Sequence, residues 1–193
     1  MKLKKIIPVI VIVIVIAAVA VFNIYNPQEK PMAITESLSS SPVFIEDVNI
    51  DEDVAKAYKR NLESLPDFMK QYATSVTITN ENLSEKFDLN LNANILAITY
   101  GTDIYISDEK FNENVLIHEL FHAYDYSHNW ISTSNEFSKI YEQEKNLIQV
   151  SDGNVQNIYE FWASAGEMYY FSPKKLQEVA PLTYDFMVKN IQF

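Results

Sequence analysis

Cysteine is absent from the 193 residues of this chain. That excludes a disulfide framework, a thiolate metal site and a cysteine nucleophile together. Any bound metal must therefore be held by histidine, aspartate or glutamate. Histidine is itself scarce, with only three in the chain, and basic residues are outnumbered, 15 Lys and Arg against 26 Asp and Glu. The resulting net charge of −11 and the lack of any basic stripe after residue 5 argue against nucleic acid as a partner, because phosphates are neutralised by clustered Lys and Arg. What remains is an ordinary globular composition, 48% hydrophobic and 21% charged, with room for one domain and a short leader.

The first residues, Met1-Lys2-Leu3-Lys4-Lys5, precede an apolar run from Ile6 to Phe22 that only Pro8 interrupts. A basic start followed by such a run is an export or anchor signal. Its 17 residues exceed the ~7 to 15 of a cleaved signal core and stand at the ~17-residue lower limit of a spanning helix. Small residues at Ala18 and Ala20 would permit cleavage, while the preceding Val and Ile run favours an uncleaved anchor. Under either outcome the lysines stay on the cytoplasmic side and the rest is exported, which predicts an extracytoplasmic protein, secreted or anchored to the membrane by residues 1–25. Residues 26–50 carry Pro27, Pro31, Pro42 and several serines without periodicity, and read as a linker. The domain proper is expected at 51–193.

Within it, apolar residues from Val54 to Tyr72 recur at near-helical spacing with Pro66 between them, which predicts two short helices. Val76 to Thr79 alternates with β-branched residues, and 95–100 and 104–107 are strand-like runs flanking Gly101-Thr102, a hairpin signal. Beyond Asp108 the pattern is helical, at about 112–126, 134–149, 155–171 and 173–190. Strands first and helices afterwards predict an α+β domain, a small sheet followed by a bundle of helices.

The chemistry concentrates in Val115-Leu116-Ile117-His118-Glu119-Leu120-Phe121-His122-Ala123-Tyr124-Asp125. It contains His-Glu-x-x-His on a predicted helix, the zinc-peptidase signature. Residues four apart lie ~40° apart around the axis and ~6 Å along it, so the two imidazoles can reach one ion. Glu119 sits one position round from His118, where a carboxylate can take a proton from a water that zinc acidifies towards a pKa of ~7. His128 falls beyond the predicted helix end and reads as a loop histidine. A third ligand must come from elsewhere, and the helix that follows Asn157 offers Glu160 and Glu167, between which spacing does not choose.

Three segments in this order resemble the anthrax lethal factor-like metallopeptidase domain, a zincin family that includes secreted Pro-Pro endopeptidases: His118 to Asp125, Glu160-Phe161-Trp162-Ala163-Ser164-Ala165, and Ala180-Pro181-Leu182-Thr183-Tyr184-Asp185-Phe186. The likeness extends over about residues 55–193. It implies a Zn2+ site made of His118, His122 and Glu160, with Glu119 as the catalytic base, and an endopeptidase acting on exported or surface proteins and peptides. Three positions depart from the family pattern. Gly153 stands where the family has an oxyanion-stabilising tyrosine, with Tyr159 a weak substitute. Ser164 replaces a glutamate that orients a histidine, a role Asp125 could take over. Phe121 replaces a glycine and puts bulk behind the metal helix. The first two departures carry an alternative reading, a membrane-tethered zincin-like binding module that keeps the metal and has lost catalysis. The aromatic residues of 161–171 are expected in the core.

Overall fold

The computed structural model describes residues 41–89, 95–148 and 157–191. The apolar leader and most of the expected linker lie outside them, and no helix among the described residues is long and apolar enough to cross a membrane.

Four strands form one mixed sheet in the order β1-β2-β4-β3. They are β1 (Val43–Glu46), β2 (Ser75–Thr79), β3 (Ala97–Tyr100) and β4 (Asp103–Ser107). β1 and β4 both run parallel to β2, and β3 closes antiparallel onto β4 with Thr99 opposite Ile104. The β3–β4 hairpin turns at Gly101, whose φ of +66° is a left-handed conformation that glycine adopts without penalty. β1 lies at the end of the stretch 26–50 expected as a linker, of which 26–40 fall outside the described residues. Val43 and Ile45 are exposed while Phe44 between them packs on the main core, and these residues become a strand because β2 offers a free backbone edge.

Eight α-helices and a 3-10 turn (Ile131–Thr133) accompany the sheet among the described residues: α1 (Glu52–Ser64), α2 (Asp67–Lys70), α3 (Leu83–Lys86), α4 (Glu113–Ser127), α5 (Asn135–Glu144), α6 (Ile158–Phe171), α7 (Pro173–Val179) and α8 (Pro181–Asn190). α1 begins at Asp51, whose carboxylate accepts from the Asp53 and Val54 amides, and stops at extended Leu65 before Pro66. The helix predicted over 173–190 is two. Pro181 has no amide hydrogen to continue α7, and it opens α8 instead at the first helical position. Ala180 cannot cap that new start with its side chain. Buried Glu144, from the end of α5, accepts from the Leu182 and Thr183 amides and the Thr183 hydroxyl at 2.7 to 3.0 Å.

The sheet separates two apolar clusters. Val76, Ile78, Ala97, Ile104 and Ile106 belong to the main core on the side that α4 covers, while Ile98 turns the other way towards Leu83, Leu89 and Ile95. That alternation is the period-two geometry of a strand. Thr99 shares the helix-facing side with Ala97, so it is a polar residue in an apolar row. Trp162 lies at the centre of the core, fully buried, with its ring near Phe137, Tyr124, Phe121 and Phe186. Its indole N–H donates to the Phe121 carbonyl at 3.0 Å, which ties α6 to α4.

Candidate active site

α4 is aimed by the loop before it. Tyr58 of α1 donates its hydroxyl to the Lys110 carbonyl and accepts from the Asn112 amide. Burial pushes this phenol up to about 12, so it remains a donor. Asn112 in turn caps α4 by accepting from the Asn114 amide.

His118 and His122 follow one turn apart on α4, and Glu160 enters from the first turn of α6. The His118 Nε2 lies 3.0 Å from Glu160 Oε2 and 3.2 Å from His122 Nε2, and His122 Nε2 lies 3.3 Å from Glu160 Oε1. Among the described residues these three form the group able to hold a metal ion. Ligands of a tetrahedral zinc at ~2.1 Å stand ~3.4 Å apart, and the two rings, 3.2 Å from each other and 3.0 and 3.3 Å from the two oxygens of Glu160, are close to that spacing. The side chains are 12%, 3% and 10% exposed, and Glu160 Oε1 is buried without a hydrogen-bond partner. A buried carboxylate oxygen left in that state is a costly arrangement unless a cation completes it. The residues present fit a divalent metal.

The electrostatics agree. Burial opposes charge on His118, but the hydrogen bond and negative charge of Glu160, reinforced by Glu119 and Glu167, outweigh it and raise the ring to about 9. Burial likewise works against the Glu160 anion, and the charge of the His122 ring beside it with the hydrogen bond to His118 holds it far below the usual carboxylate range. Without a metal, a proton on His118 supplies the positive charge that the anionic pocket demands.

Glu119 is buried, 2% exposed, and held from the sheet. The Thr99 hydroxyl lies 2.6 Å from its Oε2 and 3.1 Å from its backbone carbonyl. Sequence reasoning missed Thr99, although a threonine on the core side of an otherwise apolar strand was a visible signal.

A family model, anthrax toxin lethal factor, N- and C-terminal domain, matches residues 59–190. The chain belongs to this family. The lethal factor family match spans β2 to β4, the two helices of the candidate metal site and α8, and leaves β1 outside it. The fold is similar to that of the Pro-Pro endopeptidase PPEP-2 from Paenibacillus alvei, with a TM-score of 0.60, 21% identity, and coverage of 76% of this chain and 96% of that one. No curated protein matches the chain in sequence. The resemblance seen in the three ordered segments thus holds, as does the α+β class.

The structure answers several of the departures from the family pattern. Phe121 is accommodated by Gly166 of α6, where a Cβ would meet the Phe121 ring at 2.2 Å. The bulk added behind one helix is matched by the side chain missing from the other. Ser164 is buried with a hydroxyl that has no hydrogen-bond partner, and so is His122 Nδ1. Asp125 neither replaces the lost glutamate nor sits in solvent. It is fully buried and accepts from the Ser132 amide and hydroxyl, with burial pushing it up to about 6 against those bonds. His128 stays out of the metal group, stacked on Tyr124 at 3.9 Å with its Nδ1 on the Tyr124 carbonyl. Tyr159 packs edge-on against Trp130, and Gly153 lies outside the described residues.

Proposed function

We propose that this protein is a zinc-dependent endopeptidase that cleaves exported or surface proteins, placed outside the cytoplasm by its N-terminal segment. Family membership supports peptide-bond hydrolysis as the reaction. The observation that carries the metal-dependent form is the convergence of His118, His122 and Glu160 beside a buried Glu119 that is outside the ligand group.

His118, His122 and Glu160 would hold the ion. Bound there, zinc supplies Lewis acidity, polarising a scissile carbonyl and acidifying a water. Glu119 takes the proton of the attacking water and returns it to the leaving amine. Thr99 orients the carboxylate for this by donating to Oε2, which leaves Oε1 to accept the proton. The same pair supports catalysis over the binding-module reading. A metal site that only holds a partner has no use for a buried, hydrogen-bonded carboxylate outside the ligand group.

Full-length protein loaded with zinc and incubated with a mixed peptide library tests the reading, with Glu119→Ala beside it. Cleavage by the parent alone, at equal zinc content, is expected. Equal absence of cleavage with zinc bound in both would replace the peptidase with the binding module.

A further inference from the structure

Glu167 was the rival to Glu160 as third ligand, and the structure gives it a different place. Seven residues are close to two helical turns, so α6 presents Glu160 and Glu167 on one face, and both meet the same imidazole. Glu160 lies on His118 Nε2 at 3.0 Å, while Glu167 Oε2 lies 3.9 Å from His118 Nδ1. Glu167 is itself held, since Asn114 Nδ2 donates to its Oε1 at 2.6 Å. Asn114 is one turn before His118 on α4, so the same helix carries both the ring and the clamp on its partner. The Glu167 side chain is 22% exposed, at the rim of the cluster.

A histidine that gives its Nε2 lone pair to a metal keeps its proton on Nδ1. A carboxylate facing that nitrogen fixes the tautomer, stops the ring from turning and increases its donor strength. His122 Nδ1 has no such partner, and neither does the hydroxyl of Ser164, at the position where the family carries a glutamate. Ser164 and Glu167 are three apart and share a helix face.

We infer that Glu167 is the positioning residue of His118: its carboxylate, clamped by Asn114 and 3.9 Å from Nδ1, orients the ring electrostatically from that side. The inference rests on the proposed metal site. It predicts that charge and reach at position 167 set metal affinity although Glu167 does not touch the metal.

Zinc affinity of the full-length protein, measured by competition with a chromophoric chelator, tests it with Glu167→Ala and the isosteric Glu167→Gln. The alanine variant should bind zinc about 10 to 100-fold more weakly, and glutamine, which keeps the reach and the Asn114 contact but not the charge, should fall between it and the parent. The Nδ1 proton resonance of zinc-loaded His118 should move upfield in the alanine variant. Parent-like affinity, within threefold, in folded alanine and glutamine variants would overturn the inference and leave the metal site standing. A parent protein that binds no zinc would overturn both.

Discussion

The ring of Phe121 occupies the space that a side chain on Gly166 would need, with its Cγ 2.2 Å from where that Cβ would stand. The two residues lie on the two helices that carry the candidate metal ligands, so their fit fixes how closely α4 and α6 approach.

Gly166→Ala is therefore expected to destabilise the protein by about 1 to 3 kcal/mol through overpacking, despite alanine's better helix propensity. Phe121→Ala should cost about 3 to 5 kcal/mol through the cavity it leaves. The double variant should be more stable than the sum of the two losses by at least ~0.5 kcal/mol. Urea denaturation of the four proteins measures this cycle, and strict additivity would show that the two residues do not share one space.

Thr99 donates to Glu119 at 2.6 Å inside the core. Thr99→Val removes the hydroxyl while keeping the shape, and should lower kcat about 10-fold, the equivalent of one hydrogen bond of ~1.4 kcal/mol. KM and zinc content should hold. Thr99→Ser should restore the rate. A valine variant with parental kcat would show that Glu119 needs no support from the sheet.

The metal-free protein should lose stability on the alkaline side. His118 is raised to about 9 from 6.5, so its contribution is complete below pH 6.5 and disappears as pH rises through 9. Glu160 is depressed, so its contribution is present above its ordinary value of 4.5 and disappears only in strong acid. Asp125, raised to about 6, contributes below its ordinary 3.8 and has lost that contribution by about pH 6, which leaves the range from 7 to 9 to report on His118. A decline on the order of 3 kcal/mol over that range is expected. Thermal melts of chelator-treated protein follow it. Zinc should flatten the curve because the metal takes the place of the proton, and so should Glu160→Gln. A melting temperature that rises from pH 7 to 9 without metal would contradict the pairing.

Glu144 caps α8 from a different helix through three hydrogen bonds. Glu144→Ala leaves two amides and a hydroxyl unmet in a buried place, and should cost about 3 kcal/mol. Zinc affinity should stay within a few-fold of the parent, since α8 supplies none of the proposed ligands. Denaturation and chelator competition on one preparation separate the two effects, and an unchanged midpoint would remove Glu144 as the cap.

Local rules determined much of this protein. The His118-Glu119-x-x-His122 spacing put two imidazoles on one helix face, alternation marked β2 and the hairpin, and Pro66 ended a helix, each through forces acting within a few residues. The spacing could not choose between Glu160 and Glu167. Resemblance pointed to Glu160, and the packing of α6 on α4 put Glu160 on His118 Nε2 and left Glu167 3.9 Å from Nδ1. β1 was hidden because the edge it pairs with, β2, is far away in sequence, with Val43 opposite Ser75, and the division of 173–190 was missed although Pro181 announced it. Thr99 meets Glu119 across 20 residues of sequence, and Phe121 meets Gly166 across 45. Pairings of that kind are decided by which surfaces of sheet and helices come together to bury the apolar rows, and periodicity in a single segment carries no information about its partner.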